Sequence, residues 1–275
     1  MSRDAELVTL ELGNQIAGGR AFVAAGPEIS ARYGTAFDTV AGLATPTCAT
    51  WDYPLFNRVI GADVLGPLDE RGIATVVHHF TAKRRVPCVE VYPGITSPEL
   101  LAALARAGFA DSGHGFESHV LETELPIEVA LPGVSVRRVG PAEHRHFGEL
   151  VRDGFDMRAD AVLGPFFIDL TIASLDALGA NGGAGFIASV DGEDAGTGQL
   201  VLTDRVAGCY SGSVIEKFRG RGIQKAAIAA RVREGLARGK RIFISQTDPD
   251  SPSGHNLHDL GFRTLYRATW FTRAA

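Results

Sequence analysis

The sequence carries the same pattern of elements twice, at a fixed spacing of 153 residues. Four pairs of segments correspond at this spacing: 34–40 and 187–193, 72–85 and 225–238, 89–92 and 242–245, and Gly108-Phe109 and Gly261-Phe262. The last three pairs keep one register without a gap. The spacing therefore predicts two copies of one α/β unit, each of roughly 130 to 140 residues.

The two copies are expected to meet where the pattern is interrupted. Two prolines lie in the segment 125–133, and a new strand is predicted to begin at Val134. We expect an N-terminal domain at 1–128 and a C-terminal domain at 133–275. A length of 275 residues suits two domains of ordinary size.

Composition excludes several classes of protein. Hydrophobic residues make up 45% and charged residues 21% of the chain, which is typical of a globular protein and not of a disordered, collagen-like or coiled-coil chain. The net charge of −5 does not favour a protein that coats nucleic acid or anionic membrane. The three cysteines, Cys48, Cys88 and Cys209, are too scattered for a disulfide framework. With no signal-peptide pattern and no long apolar run, we expect a soluble cytoplasmic protein.

The second copy has the clearer pattern of elements. Alternating residues predict a hairpin of 196–203 with 206–214, and apolar residues four apart predict a helix at 223–238. A short strand at 241–246, a short helix that ends in His-Asp-Leu-Gly-Phe and a closing strand at 264–272 follow.

A glycine-rich basic loop, Arg219-Gly-Arg-Gly-Ile-Gln224, joins a predicted strand to the predicted helix. Free backbone N–H groups at a helix N-terminus bind anions, and glycines let phosphate oxygens approach the backbone. The first copy has Gly66-Pro-Leu-Asp-Glu-Arg71 in this place, with a proline and two carboxylates. Only the second copy is therefore expected to bind an anionic ligand.

The pattern Arg219-x-x-Gly222-x-Gln224 resembles the R/Q-x-x-G-x-G/A pyrophosphate loop of the GNAT N-acetyltransferase superfamily. The order of elements over 134–271 matches the GNAT core, and the first copy looks like a degenerate GNAT domain. The resemblance implies an α/β (α+β) fold of two tandem GNAT-like domains, each a mixed, mostly antiparallel sheet flanked by helices. It implies acetyl-CoA as acyl donor and no metal.

The resemblance also implies which residues contact the cofactor. The pantetheine arm would lie along the strand before the loop, the pyrophosphate would lie in the loop, and the segment after Asp250 would lie beside the CoA. The implied cofactor-binding residues are Gly212, Ser213, Val214, Arg219, Gly220, Arg221, Gly222, Ile223, Gln224, Lys225, Ser253 and Asn256.

The sequence departs from the family pattern at three positions. Gln224 replaces a glycine or alanine, Asp250 replaces an asparagine, and Leu257 stands where relatives often have the tyrosine that protonates the CoA thiolate. Tyr210 and Tyr266 are candidates for that acid. The backbone N–H near Val214 would stabilise the oxyanion.

No base is assigned by the sequence. Asp153, Asp156 and Asp160 lie between the first two helices predicted in the second copy, where this superfamily usually forms its acceptor site.

The resulting hypothesis is an acetyl-CoA-dependent N-acyltransferase in which an amine attacks the thioester directly, with its active site in the C-terminal domain. The first copy would act as scaffold and as one wall of the acceptor pocket. We expect a small-molecule amine acceptor, no nucleic acid or membrane partner, and a monomer or homodimer.

Two alternatives remain open. One is a CoA-binding or interaction module without catalysis, which the missing tyrosine favours. The other is a nucleic-acid-binding protein that uses the basic run 217–241, where nine Lys or Arg face the single acid Glu234. A compact polyanion suits such a local charge better than a long DNA backbone.

Other motifs are read as structural. His78-His79 and His144-x-His146 do not have the spacing of a metal site on one helix face. The glycine-rich segment 179–185 is predicted to connect a helix to a strand, and Cys209 is predicted to be a core residue.

Overall fold

A computed structural model describes residues 2–23 and 26–274. Its helices are α1 (Arg3–Val23), α2 (Pro27–Tyr33), α3 (Glu70–Ala82), α4 (Pro98–Arg106), α5 (His144–Gly154), α6 (Leu163–Gly179), α7 (Ile223–Ala237) and α8 (Pro252–Asp259). Its strands are β1 (Ala36–Val40), β2 (Leu43–Thr47), β3 (Cys88–Val91), β4 (Phe109–Glu122), β5 (Val134–Arg138), β6 (Ala184–Val190), β7 (Glu193–Leu202), β8 (Val206–Val214), β9 (Ile242–Thr247) and β10 (Arg263–Arg273). Within this part of the chain, no helix is both long and apolar enough to cross a membrane.

The elements predicted for the second copy are confirmed. β7 and β8 form the antiparallel hairpin, and α7, β9, α8 and β10 follow in the predicted order. The glycine-rich segment 179–185 connects the end of α6 to β6, as predicted. Alternating segments bounded by turn residues therefore predicted these strands correctly.

The repeat is real, but its spacing is not constant. α3 begins at Glu70 and α7 at Ile223, which are 153 residues apart. The β1–β2 turn, however, has Ala41 and Gly42 at φ values of 50° and 81°, and the matching β6–β7 turn has Asp191 and Gly192 at 51° and 84°. These turns are 150 residues apart, so the prediction that 34–40 corresponds to 187–193 is wrong by three residues. The extra residues lie between the hairpin and the helix of the second copy.

The final strands of the two copies are exchanged. Eight strands form one sheet in the order β3-β10-β4-β9-β8-β7-β6-β5. β10 pairs with β3 of the first copy, and β4 pairs with β9 of the second, while β4 and β10 pair antiparallel with each other. The separate sheets expected for the two domains are therefore joined into one. Two equivalent strands can fill each other's place because the positions they pair with are also equivalent.

The remaining strands of the first copy follow the same plan in reduced form. β1 and β2 form a separate two-stranded sheet. Isolated bridges join Ala44 to Ile60 and, in parallel, Val59 to Val89, where the second copy has the full strand β8. The boundary between 128 and 133 stays a prediction, because β4 belongs to the first copy by sequence and pairs with strands of the second.

The N-terminal helix α1 packs on the second copy. Its Leu7 and Leu12 are buried, and the Asn14 side chain donates to the carbonyl oxygen of Val201 at 3.1 Å. Asn14 also reaches the carbonyl oxygen of Val206 at 3.4 Å. α1 therefore covers one face of β7 and β8, and α7 covers the other.

Candidate functional site

A cleft opens in the second copy where two parallel strands separate. β8 and β9 pair only at 206–208 with 242–244, and the Ser245 hydroxyl then donates to the carbonyl oxygen of Cys209 at 2.8 Å. Beyond this point the strands diverge, and α7 and α8 flank the opening. The cleft has a volume of about 930 Å³.

All twelve residues that the sequence predicted to contact a cofactor line this cleft. They are Gly212, Ser213, Val214, Arg219, Gly220, Arg221, Gly222, Ile223, Gln224, Lys225, Ser253 and Asn256. Leu131 and Phe155 also line it, from the segment between the copies and from the end of α5. The structure thus brings together residues from β8, the basic loop, α7 and α8.

The loop before α7 presents backbone donors to the cleft. Gly220 and Gly222 have φ values of 77° and 75°, a conformation that side chains disfavour. No backbone N–H of residues 220–225 donates a hydrogen bond to any group that the structure describes. Six consecutive free donors at the positive end of a helix dipole form an anion site.

One cation of the loop is free to meet an anion. The Arg219 guanidinium donates to Asp156 at 2.8 Å and to the carbonyl oxygens of Val214 and Gly154, both at 3.1 Å. Lys225 lies 2.6 Å from Asp259. Arg221 is exposed, and no carboxylate of the described residues lies within 4.0 Å of it. Arg219 therefore holds the loop against the end of α5, while Arg221 supplies unpaired charge.

The Gln224 side chain links α7 to α8 across the cleft. Its Nε2 donates to Ser253 Oγ at 2.5 Å, and its Oε1 accepts from Asn256 Nδ2 at 2.7 Å. A glycine or alanine at this position could not make this link. Sequence analysis considered only the backbone of Gln224 and missed the side chain, since nothing in the sequence signals a partner about thirty residues away.

Comparisons with solved structures find the same architecture. A tandem GNAT protein from the clavulanic acid biosynthesis pathway superimposes with a TM-score of 0.60 over 84% of this chain and 77% of its own, at 18% sequence identity. The fold is that of a tandem GNAT protein. A GCN5-related N-acetyltransferase from Kribbella flavida gives a TM-score of 0.57 at 15% identity, over 84% of this chain and 82% of that one. No protein-family model matches the sequence, and no curated protein matches it.

The three aspartates suggested between the first two helices of the second copy all have structural roles, and Asp153 lies in the last turn of α5 and not after it. Asp153 is nearly buried and accepts from Arg152 at 2.7 Å. Burial favours its neutral form, but hydrogen bonds from Arg158 and Arg152 outweigh this and lower its pKa. Asp156 pairs with Arg219. Asp160 accepts from the N–H groups of Leu163 and Val162 at the start of α6, which lower its pKa. None of the three is a free base.

The two candidate tyrosines are both turned away from the cleft. Tyr210 lies against Gly208 and beneath α1, where a Cβ on Gly208 would come within 2.4 Å of its ring. Tyr266 donates its hydroxyl to Glu11 of α1. Burial raises the pKa of both phenols well above the usual value. Leu257 of α8 is itself buried in the hydrophobic core. This position of α8 therefore presents no phenol to the cleft.

A buried arginine on α7 was not predicted from the sequence. Arg231 is 2% exposed and donates to the carbonyl oxygens of Tyr210 at 3.1 Å and Ala227 at 3.0 Å. The β7–β8 register shifts between Thr197 and Gln199, and Arg231 fills the space left by Gly198. Burial lowers the pKa of this guanidinium. The available signal was a glycine within a strand, which often marks a bulge.

The remaining candidates have ordinary partners. His144 and His146 lie 2.8 Å from Asp176 and Asp194. Over residues 2–23 and 26–274, no group of three or more His, Cys, Asp or Glu is arranged to hold a metal ion. Cys209 is buried in the core, and burial raises the pKa of its thiol. The expectation that the protein needs no metal stays a prediction.

Proposed function

We propose that the protein is an acetyl-CoA-dependent N-acyltransferase that acts in its second copy. The observation that carries this proposal is the row of six free N–H groups at 220–225, next to unpaired Arg221, at the mouth of the cleft between β8 and β9. The loop suits a pyrophosphate, and the diverging strands leave free backbone groups for the amides of a pantetheine arm. The tandem GNAT fold supports the same function.

The reaction would be a direct attack of a neutral amine on the thioester carbonyl. The nitrogen–carbon bond forms, the carbon–sulfur bond breaks, and the electron pair of that bond stays on the sulfur. A backbone N–H near Val214, at the end of β8, would stabilise the oxyanion. The acceptor would be a small amine that enters on the α1 and α6 side of the sheet.

The loop assignment is tested by placing a carboxylate in the anion site. Gly220→Asp adds a side chain that meets nothing within 4 Å, whereas a Cβ at Gly222 would come within 2.8 Å of Leu131. We expect Gly220→Asp to weaken acetyl-CoA binding at least about 100-fold by calorimetry, because the carboxylate repels the pyrophosphate. Gly222→Asp should also abolish binding.

The matched control is Gly239→Asp, beyond the end of α7. Gly239 has a φ of 75° against 77° for Gly220, and its Cβ would also meet nothing within 4 Å. It carries the same backbone strain and charge away from the cleft, so it should bind acetyl-CoA like the wild type. Equal affinity in Gly220→Asp and the wild type would refute the loop assignment.

The alternative, a CoA-binding module without catalysis, is favoured by Leu257 in place of a tyrosine. Mass detection of acetyl transfer to a panel of amines separates the two. The panel should include 2-phenylethylamine, spermidine, amino acids and an aminoglycoside. Tight acetyl-CoA binding without transfer to any amine or to water would establish the module instead.

A further inference from the structure

Four polar side chains form a row across the sheet at the level where the cleft begins. Gln246 of β9 pairs with Ser118 of β4, and Ser118 pairs with Tyr266 of β10. Tyr210 of β8 and Gln246 of β9 each lie two residues past the last pair of these strands, Gly208 with Ile244, and the Tyr210 ring packs toward Gly18 of α1. Strand neighbours in register point to the same face, so all four side chains face α1.

Glu11 of α1 lies over this row. Its Oε1 accepts from Gln246 Nε2 at 2.8 Å, and its Oε2 accepts from the Tyr266 hydroxyl. Glu11 is 0% exposed, and no cation pairs with it among the residues the structure describes. A carboxyl held by two neutral donors, with no cation, is an unusual group to bury for stability alone.

Buried polar atoms without partners lie on α1, β8 and α6, the elements on this side of the sheet. One turn along α1, Gln15 is 6% exposed, and neither side-chain amide atom has a partner within residues 2–23 and 26–274. The buried Tyr210 hydroxyl and Thr171 Oγ1 of α6 are unpartnered as well. Buried polar atoms of this kind bind water or a ligand. The space between α1, α6 and the row is therefore polar.

Gln246 lies next to the point where β8 and β9 separate and the cleft begins. It is the first residue of β9 past the Ser245 link, it is half-buried, and one end of its amide is bonded to Glu11. A thioester bound where β8 and β9 separate would therefore lie near Gln246.

We propose that Glu11, from the first copy, accepts the proton released by acyl transfer in the cleft of the second copy. The inference rests on the proposed function and names a residue for a step that function requires. The proton leaves the attacking amine as the nitrogen–carbon bond forms and passes through water to the Glu11 carboxylate. The CoA sulfur leaves with the electron pair of the broken bond and takes a proton from solvent.

The electrostatic surroundings suit this role. Burial raises the pKa of Glu11 to about 7, the hydrogen bonds from Tyr266 and Gln246 lower it, and the charge of Glu90 raises it. The other ionisable groups that face it are Tyr210, Tyr266 and Tyr92, while Arg58 is paired with Glu90. A base with a pKa near the working pH is effective in proton transfer.

Acetyl-CoA hydrolysis tests the proposal without an identified acceptor. Water is then the nucleophile, so no amine pKa enters the pH profile, and the enzyme-free rate is subtracted. The wild-type rate should rise with pH around a midpoint near 7. Glu11→Gln should lower the rate about 100-fold and remove that midpoint, with acetyl-CoA affinity unchanged. With the best amine of the panel as acceptor, Glu11→Gln should lower the rate of acetyl transfer by the same factor.

Three variants separate proton transfer from structure. Glu6→Gln, a change at a half-buried residue of the same helix that pairs with Arg3 and Arg205, should leave the rate and midpoint unchanged. Glu11→Asp should recover part of the rate. Tyr266→Phe removes a hydrogen bond to the charged form, so it should move the midpoint upward.

The outcomes also separate this proposal from the proposed function. Turnover with the same midpoint in Glu11→Gln as in the wild type would overturn the role of Glu11 and leave acyl transfer intact. Acetyl-CoA binding with no turnover by the wild type, with water or amines, would overturn both.

Discussion

The Glu11 carboxyl makes the stability of the protein depend on pH in an unusual direction. Its pKa is about 7 in the folded chain, against 4.5 as its ordinary value. The folded state therefore binds a proton more tightly than the unfolded state between these values. The contribution of Glu11 to the stability of the folded chain is therefore fully present below pH 4.5 and is lost as pH rises through 7.

Glu11→Gln should remove this dependence. We expect the variant to be more stable than the wild type at pH 8, by up to about 3 kcal/mol, and to differ from it by less than about 1 kcal/mol at pH 5. Urea unfolding at several pH values measures the difference. A gap that does not change from pH 5 to pH 8 would show that Glu11 does not titrate in this range.

At the scale of residues, the sequence predicts backbone chemistry better than side-chain contacts. The loop at 219–224 could be predicted because glycine and arginine act through local geometry and charge. The Gln224–Ser253 and Glu11–Gln246 contacts could not, because 29 and 235 residues separate the partners. Such contacts depend on tertiary packing, which no local pattern contains.

At the scale of elements, the β7–β8 hairpin is shaped by a bulge beside the cleft. The register shift between Thr197 and Gln199 frees the carbonyl oxygen of Tyr210, and Arg231 donates to it. Helix and strand positions followed from periodicity in the sequence. The bulge did not, because it depends on a side chain from α7.

Gly198→Ala tests how tightly this bulge is packed. A Cβ at Gly198 would lie 2.6 Å from Arg231 Cζ, and the guanidinium has no exposed space to enter. We expect a loss of about 1–3 kcal/mol in the free energy of unfolding. Gly179→Ala, which meets nothing within 4 Å at the end of α6, is the control and should change it by less than about 1 kcal/mol. Equal stability of the two variants would contradict the close packing.

At the scale of the whole molecule, the exchanged strands make the two copies dependent on each other. β10 supplies a neighbour to β3, and β4 supplies one to β9. The repeat itself was readable from the sequence, but the exchange was not. Local propensity is the same whether a strand pairs within its own copy or with the other.

Neither half should fold alone. Separate expression of 1–128 and 133–275 would leave β3 without β10 and β9 without β4, so each half should be insoluble or aggregate. Co-expression should recover a soluble complex with the acetyl-CoA affinity of the intact chain. The intact chain should unfold in one transition by calorimetry. A stable, monomeric 133–275 fragment would contradict this dependence.

The exchange also sets an order for synthesis on the ribosome. β3 and β4 emerge early, but the strand that lies between them, β10, occupies residues 263–273 near the end of the chain. The N-terminal half therefore waits with two open strand edges until residues 263–273 have been translated. A nascent chain in this state presents sites for chaperones, and termination before residue 263 would leave both halves incomplete.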